Sequence, residues 1–83
     1  MLVTVRLFAR LREIAGTTEL AIDVASGATA RDAWQALSSR HTELGAYSTV
    51  ISCAVNEEYA RLTTELHDGD EVAFLPPVSG GGT

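Results

Sequence analysis

Apolar and polar positions alternate from Leu2 to Ala9, with Val3, Val5 and Leu7 on one face and Thr4, Arg6 and Phe8 on the other. Successive strand side chains point to opposite faces, so this stretch reads as a strand whose Val face enters the core. Arg10 to Ala15 fits a short helical turn stopped by Gly16, and Glu19 to Val24 alternates again. The first two strands are expected to pair as a hairpin with a long connection. After a loop at Ala25 to Ala28, Thr29 opens the strongest helix: Ala30, Ala33, Trp34 and Leu37 recur at i, i+3, i+4 and i+7, with Arg31, Asp32, Gln35 and Ser38 off that stripe. The Thr29 hydroxyl can cap exposed N–H groups, and Asp32 three residues on is a near-miss to a capping box with a charge suited to the helix start. Trp34, the largest member of the stripe, reads as core filler between helix and sheet.

His41 to Thr49 is read as irregular, with Gly45 as the break after the helix. Val50 to Val55 reads as a buried strand with Ile51, Cys53 and Val55 on one face; Asn56-Glu57-Glu58 is a turn, Tyr59 to Leu62 a short strand, and His67-Asp68-Gly69-Asp70 a tight turn in which Gly69 takes φ > 0. In the last strand Val72 and Phe74 point inward and Ala73 and Leu75 outward, and the strand ends at Leu75 because Pro76 has no N–H for the ladder. Two strands, a helix and three strands give an α+β chain: a hairpin, a crossover helix and a final strand returning beside the first.

The end of the sequence is organised differently. Pro76-Pro77 favours an extended polyproline-II path, so the chain from Val78 is expected to leave the fold in a fixed direction. Gly80, Gly81 and Gly82 then present a ribbon without side chains, suited to a tunnel too narrow for any other residue. Residues 1–76 are expected to form the domain and residues 77–83 an extended glycine-rich tail.

Asp68 to Val78 followed by Gly80-Gly81 resembles, nearly residue for residue, the Asp-Gly-Asp-Glu-Val-Ala-Phe run, Pro-Pro-Val and terminal Gly-Gly of the MoaD family, the small sulfur-carrier subunits of molybdopterin synthase. Leu7 to Gly16 resembles the first strand and following turn of that family, and Val55-Asn56-Glu57 falls where the family has its Val-Asn segment. The resemblance spans the chain and implies a β-grasp, ubiquitin-like fold, a mixed sheet with one main crossover helix.

Composition narrows the function classes. Eighty-three residues make one domain with one modest core, and a formal charge of −5, from eleven acidic against six basic residues, sets nucleic-acid binding aside. All six basic residues are Arg (Arg6, Arg10, Arg12, Arg31, Arg40, Arg61). Without lysine there is no Schiff-base amine and no side-chain acceptor for isopeptide chains of this protein on itself. Cys53 is the only cysteine, which excludes an internal disulfide and cannot hold an iron–sulfur cluster. No leader-like or membrane-length apolar run is present, so the expected location is the cytoplasm, off the membrane. Cys53, on an apolar strand face, lacks the basic neighbour that favours thiolate and reads as inert packing. Asp68 and Asp70 lack the further oxygens of a calcium loop, and His41 and His67 lack a nucleophile partner, so neither metal binding nor hydrolysis is expected.

The resemblance implies where the chemistry lies. The working group is the terminal carboxylate of Gly81, preceded by Gly80. An E1-like partner spends ATP to adenylate it, a sulfur donor displaces AMP, and the thiocarboxylate carries sulfur to the large catalytic subunit of a heterotetrameric synthase, which converts cyclic pyranopterin monophosphate to molybdopterin. The carrier needs no bound cofactor. Outward Phe8 and Leu75 are expected to form an apolar partner-binding patch at the tail root, with Tyr59 nearby and Pro76, Pro77 and Val78 leading away; Arg12 matches a family arginine that contacts partners. The sequence departs from the family by continuing through Gly82 and Thr83, so both are expected to be absent from the active form, as a precursor extension or a foreign addition. The alternatives are a β-grasp sulfur carrier for thiamin or tRNA thiolation, and a noncatalytic interaction module or protein modifier.

Overall fold

The computed structural model describes residues 1–77. The first strand, β1 (Leu2–Leu7), buries Val3, Val5 and Leu7. It ends one residue before Phe8 because Ala9 turns into the left-handed region at φ 53°, starting helix α1 (Ala9–Ala15) with Phe8 as an extended N-cap. Gly16 closes α1 at φ 75°, a conformation open to glycine without a Cβ penalty, and donates its N–H to the Arg12 carbonyl at 2.9 Å. Strand β2 (Glu19–Asp23) then pairs antiparallel with β1, as the alternation predicts.

Helix α2 (Ala30–Arg40) buries Ala30, Ala33, Trp34 and Leu37, the four residues of the apolar stripe. Asp32 is more than a near-miss: its Oδ2 accepts from the Thr29 N–H at 2.9 Å, while the Asp32 N–H donates back to Thr29 Oγ1 at 3.3 Å, which completes the capping box with a shorter acid. Two further N–H groups of the first turn, those of Ala30 and Arg31, donate to the carbonyls of Thr64 and Leu62, both at 2.9 Å. The helix start is thus anchored to a segment more than thirty residues later in the chain.

The stretch read as irregular holds order. A 3₁₀-helix runs Thr42–Tyr47 and buries Leu44; α2 stops at Arg40 with His41 as its cap, so Gly45 lies inside the 3₁₀-helix and is not the break. Leu44 and Tyr47 are three apart, and at three residues per turn they share a face. The 3₁₀-helix delivers Ser48, whose hydroxyl accepts from Trp34 Nε1 at 2.9 Å.

Strand β3 (Ser52–Val55) is shorter than the apolar run, since Val50 is exposed in the approach to it. Its turn is tighter than read: Asn56 (φ 51°) and Glu57 (φ 72°) form a two-residue connection, and β4 (Glu58–Ala60) begins at Glu58. Left-handed geometry at both positions matches the twist of the flanking strands. Asn56 is held there because its Nδ2 donates to Asp70 Oδ1 and its Oδ1 accepts from the Glu71 N–H, both at 3.0 Å. Strand β5 (Glu71–Leu75) ends where Pro76 begins.

The five strands lie in the order β2-β1-β5-β3-β4, with β5 parallel to β1 and every other pair antiparallel. This is the mixed sheet of a β-grasp. Phe74 is fully buried and meets Trp34 edge to face, ring centroids 5.1 Å apart at 65°. Trp34→Ala removes that contact and the Ser48 bond together; it is expected to lower unfolding free energy by about 3–5 kcal/mol in denaturant titration, with Trp34→Phe losing markedly less.

Candidate functional site

Strands β1 and β5 run parallel with Arg6 beside Ala73 and Leu7 beside Phe74, so both reach the same end of the sheet together. Phe8 and Leu75 follow at that end. They border two concavities on either side of them: a groove of about 620 Å³ with Arg10, Tyr47, Pro76 and Pro77, and a dimple of about 300 Å³ on the open sheet face with Ala54, Ala73, Tyr59 and Glu57. Residues directly opposite in a ladder share a face. The pairing therefore lays Glu19, Arg6, Ala73, Ala54 and Tyr59 in one row across the face opposite α2. Phe8 is 36% exposed and Tyr59 82%, both large apolar surfaces left open to solvent.

The sequence-predicted residues Phe8, Leu75, Tyr59, Pro76 and Pro77 come together around these two concavities. Arg12 is exposed on α1 and lines neither; Arg10, paired with Glu13 at 3.1 Å, is the arginine at the groove. Tyr47 was not selected from sequence, and its spacing from Leu44 is the signal that marks it. Val78, Gly80, Gly81, Gly82 and Thr83 lie outside the described residues.

Side chains elsewhere have structural work. Cys53 is 1% exposed, its Sγ donates to the Ala60 carbonyl at 3.4 Å, and burial pushes the thiol's pKa up, away from thiolate. Asp68 Oδ1 accepts from the Leu2 N–H at 2.8 Å, tying the turn to β1. Asp70 accepts from the Asn56 amide and from the His67 N–H, and these bonds hold its carboxyl below the usual range. Among the described residues, no His, Cys, Asp or Glu group of metal-binding size gathers, and no helix is long and apolar enough to cross a membrane.

The ThiS family model matches residues 5–81. This chain belongs to the ThiS family. A molybdopterin synthase sulfur carrier subunit of Chlamydomonas reinhardtii is 37% identical over 83 residues, 98% of this chain and all of the relative. The small archaeal modifier protein 1 of Haloferax volcanii is 39% identical over 92% of this chain and 97% of its own length; a crystal structure of it superposes with a TM-score of 0.83. The complex of subunits 1 and 2 of the molybdopterin-converting factor from Helicobacter pylori contains a chain 29% identical, with a TM-score of 0.66 over 98% of this chain and all of that one. As a ThiS family member the chain keeps the fold of these relatives, with its side-chain nucleophile buried.

Cys53 is therefore expected to resist alkylation in the native protein at mildly alkaline pH and to react on denaturation, as followed by intact mass. Cys53→Ala is expected to keep full activity in any sulfur-transfer assay, at a modest cost in stability.

Proposed function

We propose that this chain is the sulfur-carrier subunit of a molybdopterin synthase, with sulfur held as a thiocarboxylate on Gly81. The observation that carries the reading is the ridge of exposed Phe8 and half-buried Leu75, set by the β1–β5 pairing beside Pro76-Pro77, which the glycines follow in sequence. Relatives in an alga, a plant and a human that carry the name of this subunit, at 34–37% identity, support it. So does the structural likeness to a chain of the Helicobacter pylori complex of subunits 1 and 2 of the molybdopterin-converting factor.

The chemistry follows from the carboxylate. Its oxygen is a poor leaving group, so the activating partner joins it to the α-phosphate of ATP and releases pyrophosphate. Sulfur at the sulfide level, supplied as HS− by the donor, then attacks the acyl carbon; the C–O bond to AMP breaks, AMP leaves, and loss of the sulfur's proton gives the thiocarboxylate anion. This anion is the nucleophile that the large subunit guides to its pterin substrate. The folded domain supplies recognition and reach; acid, base and pocket belong to the partners.

Recognition falls to the ridge. Leu75 is half-buried with its outer side facing both concavities. Leu75→Glu places a charge at a surface desolvated on docking, and is expected to weaken binding to the large subunit by more than about 2 kcal/mol in calorimetry with little change in thermal midpoint. Equal affinity of variant and wild type contradicts this role.

The position of the sulfur is tested separately. The family match ends at Gly81 and the sequence continues with Gly82 and Thr83. A terminus one residue later extends the tail by about 3.5 Å, and displacements of about 1 Å already cost on the order of a hundredfold in rate. With activating enzyme, ATP and sulfur donor, the form ending at Gly81 is expected to gain the mass of one oxygen-to-sulfur exchange and to outperform forms ending at Gly82 or Thr83. Thiocarboxylation of the full-length form, or a faster Gly82 form, overturns the assignment.

A second reading, a protein modifier, is favoured by the 39% identity to small archaeal modifier protein 1. The same adenylate attacked by a lysine amine yields an isopeptide. Having no lysine, this chain could be attached to other proteins but not built into chains through its own side chains. Adducts of its mass on host proteins, with no thiocarboxylate, decide for that reading.

A further inference from the structure

The dimple on the open sheet face has a small floor and tall, unequal walls. Ala73 and Ala54 lie side by side in the ladder, flanked in the same row by Arg6 and by Tyr59. Small side chains between large ones leave a depression, and Phe8 and Leu75 close its apolar end. Charge at the rim is uneven. The Arg6 guanidinium is 4.0 Å from Glu19, 3.9 Å from Glu71 and 5.6 Å above the Phe8 ring, so its charge is answered within the protein. Glu57, on the opposite rim at the tip of the two-residue turn, makes no ion pair among the described residues.

We infer that this dimple receives one apolar side chain of the large subunit, and that a lysine or arginine beside it on that partner pairs with Glu57. The inference rests on the carrier reading above. An apolar knob covers Ala54, Ala73 and the bare Tyr59 ring, surface that a polar occupant would leave poorly paired. A basic flank meets an unanswered carboxylate, on a chain whose net charge of −5 draws cationic surfaces and repels acidic ones. Glu71 also lines the dimple but pairs with Arg6 at 3.9 Å, which leaves Glu57 as the lining carboxylate with no ion pair among the described residues.

The test is calorimetry of the full-length chain with the large subunit at low and high salt. Ala54→Leu fills the floor without altering charge and is expected to weaken binding at least about tenfold at both salt concentrations. Glu57→Lys reverses the rim and is expected to weaken binding about tenfold at low salt, with the deficit shrinking at high salt as the charge is screened. Glu57 is exposed in a turn, so its variant remains informative even where Ala54→Leu perturbs the strand. Either variant, folded by circular dichroism, binding like wild type at low salt overturns the inference while the carrier reading stands. Absence of binding by the wild type overturns both.

Discussion

The parallel pairing of β1 with β5 is the constraint on which the rest of the molecule depends. Parallel neighbours cannot be joined by a tight turn and need a crossover, and α2 with its flanking segments supplies it. The pairing places Val5 beside Val72 and Leu7 beside Phe74, all fully or almost fully buried, at the centre of the sheet where Trp34 of α2 meets Phe74 edge to face. One residue further along, the same two strands deliver Phe8 and Leu75 to the open end. Leu75 in β5 and the extended Phe8 just past β1 thus alternate with the core residues, and neither core nor apolar ridge can shift register without dismantling the other.

Much of this was legible because period and burial agree. Val3, Val5 and Leu7 in the first strand, Val72 and Phe74 in the last, and the four-residue stripe of α2 all lie inward as their spacing requires. The readings that failed did so where tertiary contacts decide local geometry. An Asn-Gly pair would have announced the two-residue turn, but Asn56-Glu57 does not, and what holds it is the Asn56 amide bridging to Asp70 and Glu71 more than ten residues away. The 3₁₀-helix hides behind Gly45, since a glycine between Leu44 and Tyr47 breaks the pattern expected of an α-helix but not a three-residue repeat. The ridge was visible in the alternation. The groove beside it was not, because Tyr47 arrives from the 3₁₀-helix.

The chemical silence of the side chains also fits the carrier role. A protein whose reactive group is carried on a tail gains nothing from a second nucleophile, and Cys53 is buried on the core face of β3 with its S–H donated to the Ala60 carbonyl of the neighbouring β4. Lysine is absent altogether, so no side-chain amine of the carrier competes for its own activated carboxyl group. An acyl adenylate is open to attack by a nearby amine or thiol. With no lysine and Cys53 buried, the folded domain leaves such an adenylate to an external sulfur donor.

Backbone strain is distributed in keeping with this division. Non-glycine residues with positive φ are rare, and among the described residues here they are Ala9, Asn56 and Glu57. Ala9 follows Phe8 directly and borders the groove, while Glu57 lines the dimple. Each left-handed L-residue costs about 1–2 kcal/mol relative to the right-handed region. Glycine would relieve that at either position, yet it would also remove the Cβ and the local stiffness that aim Phe8 and the Glu57 carboxylate outward. The buried strands and α2 contain no such residue. Strain thus sits at the groove and the dimple, where a fixed presentation lowers the ordering cost that docking there would carry, and is absent from the buried strands and α2.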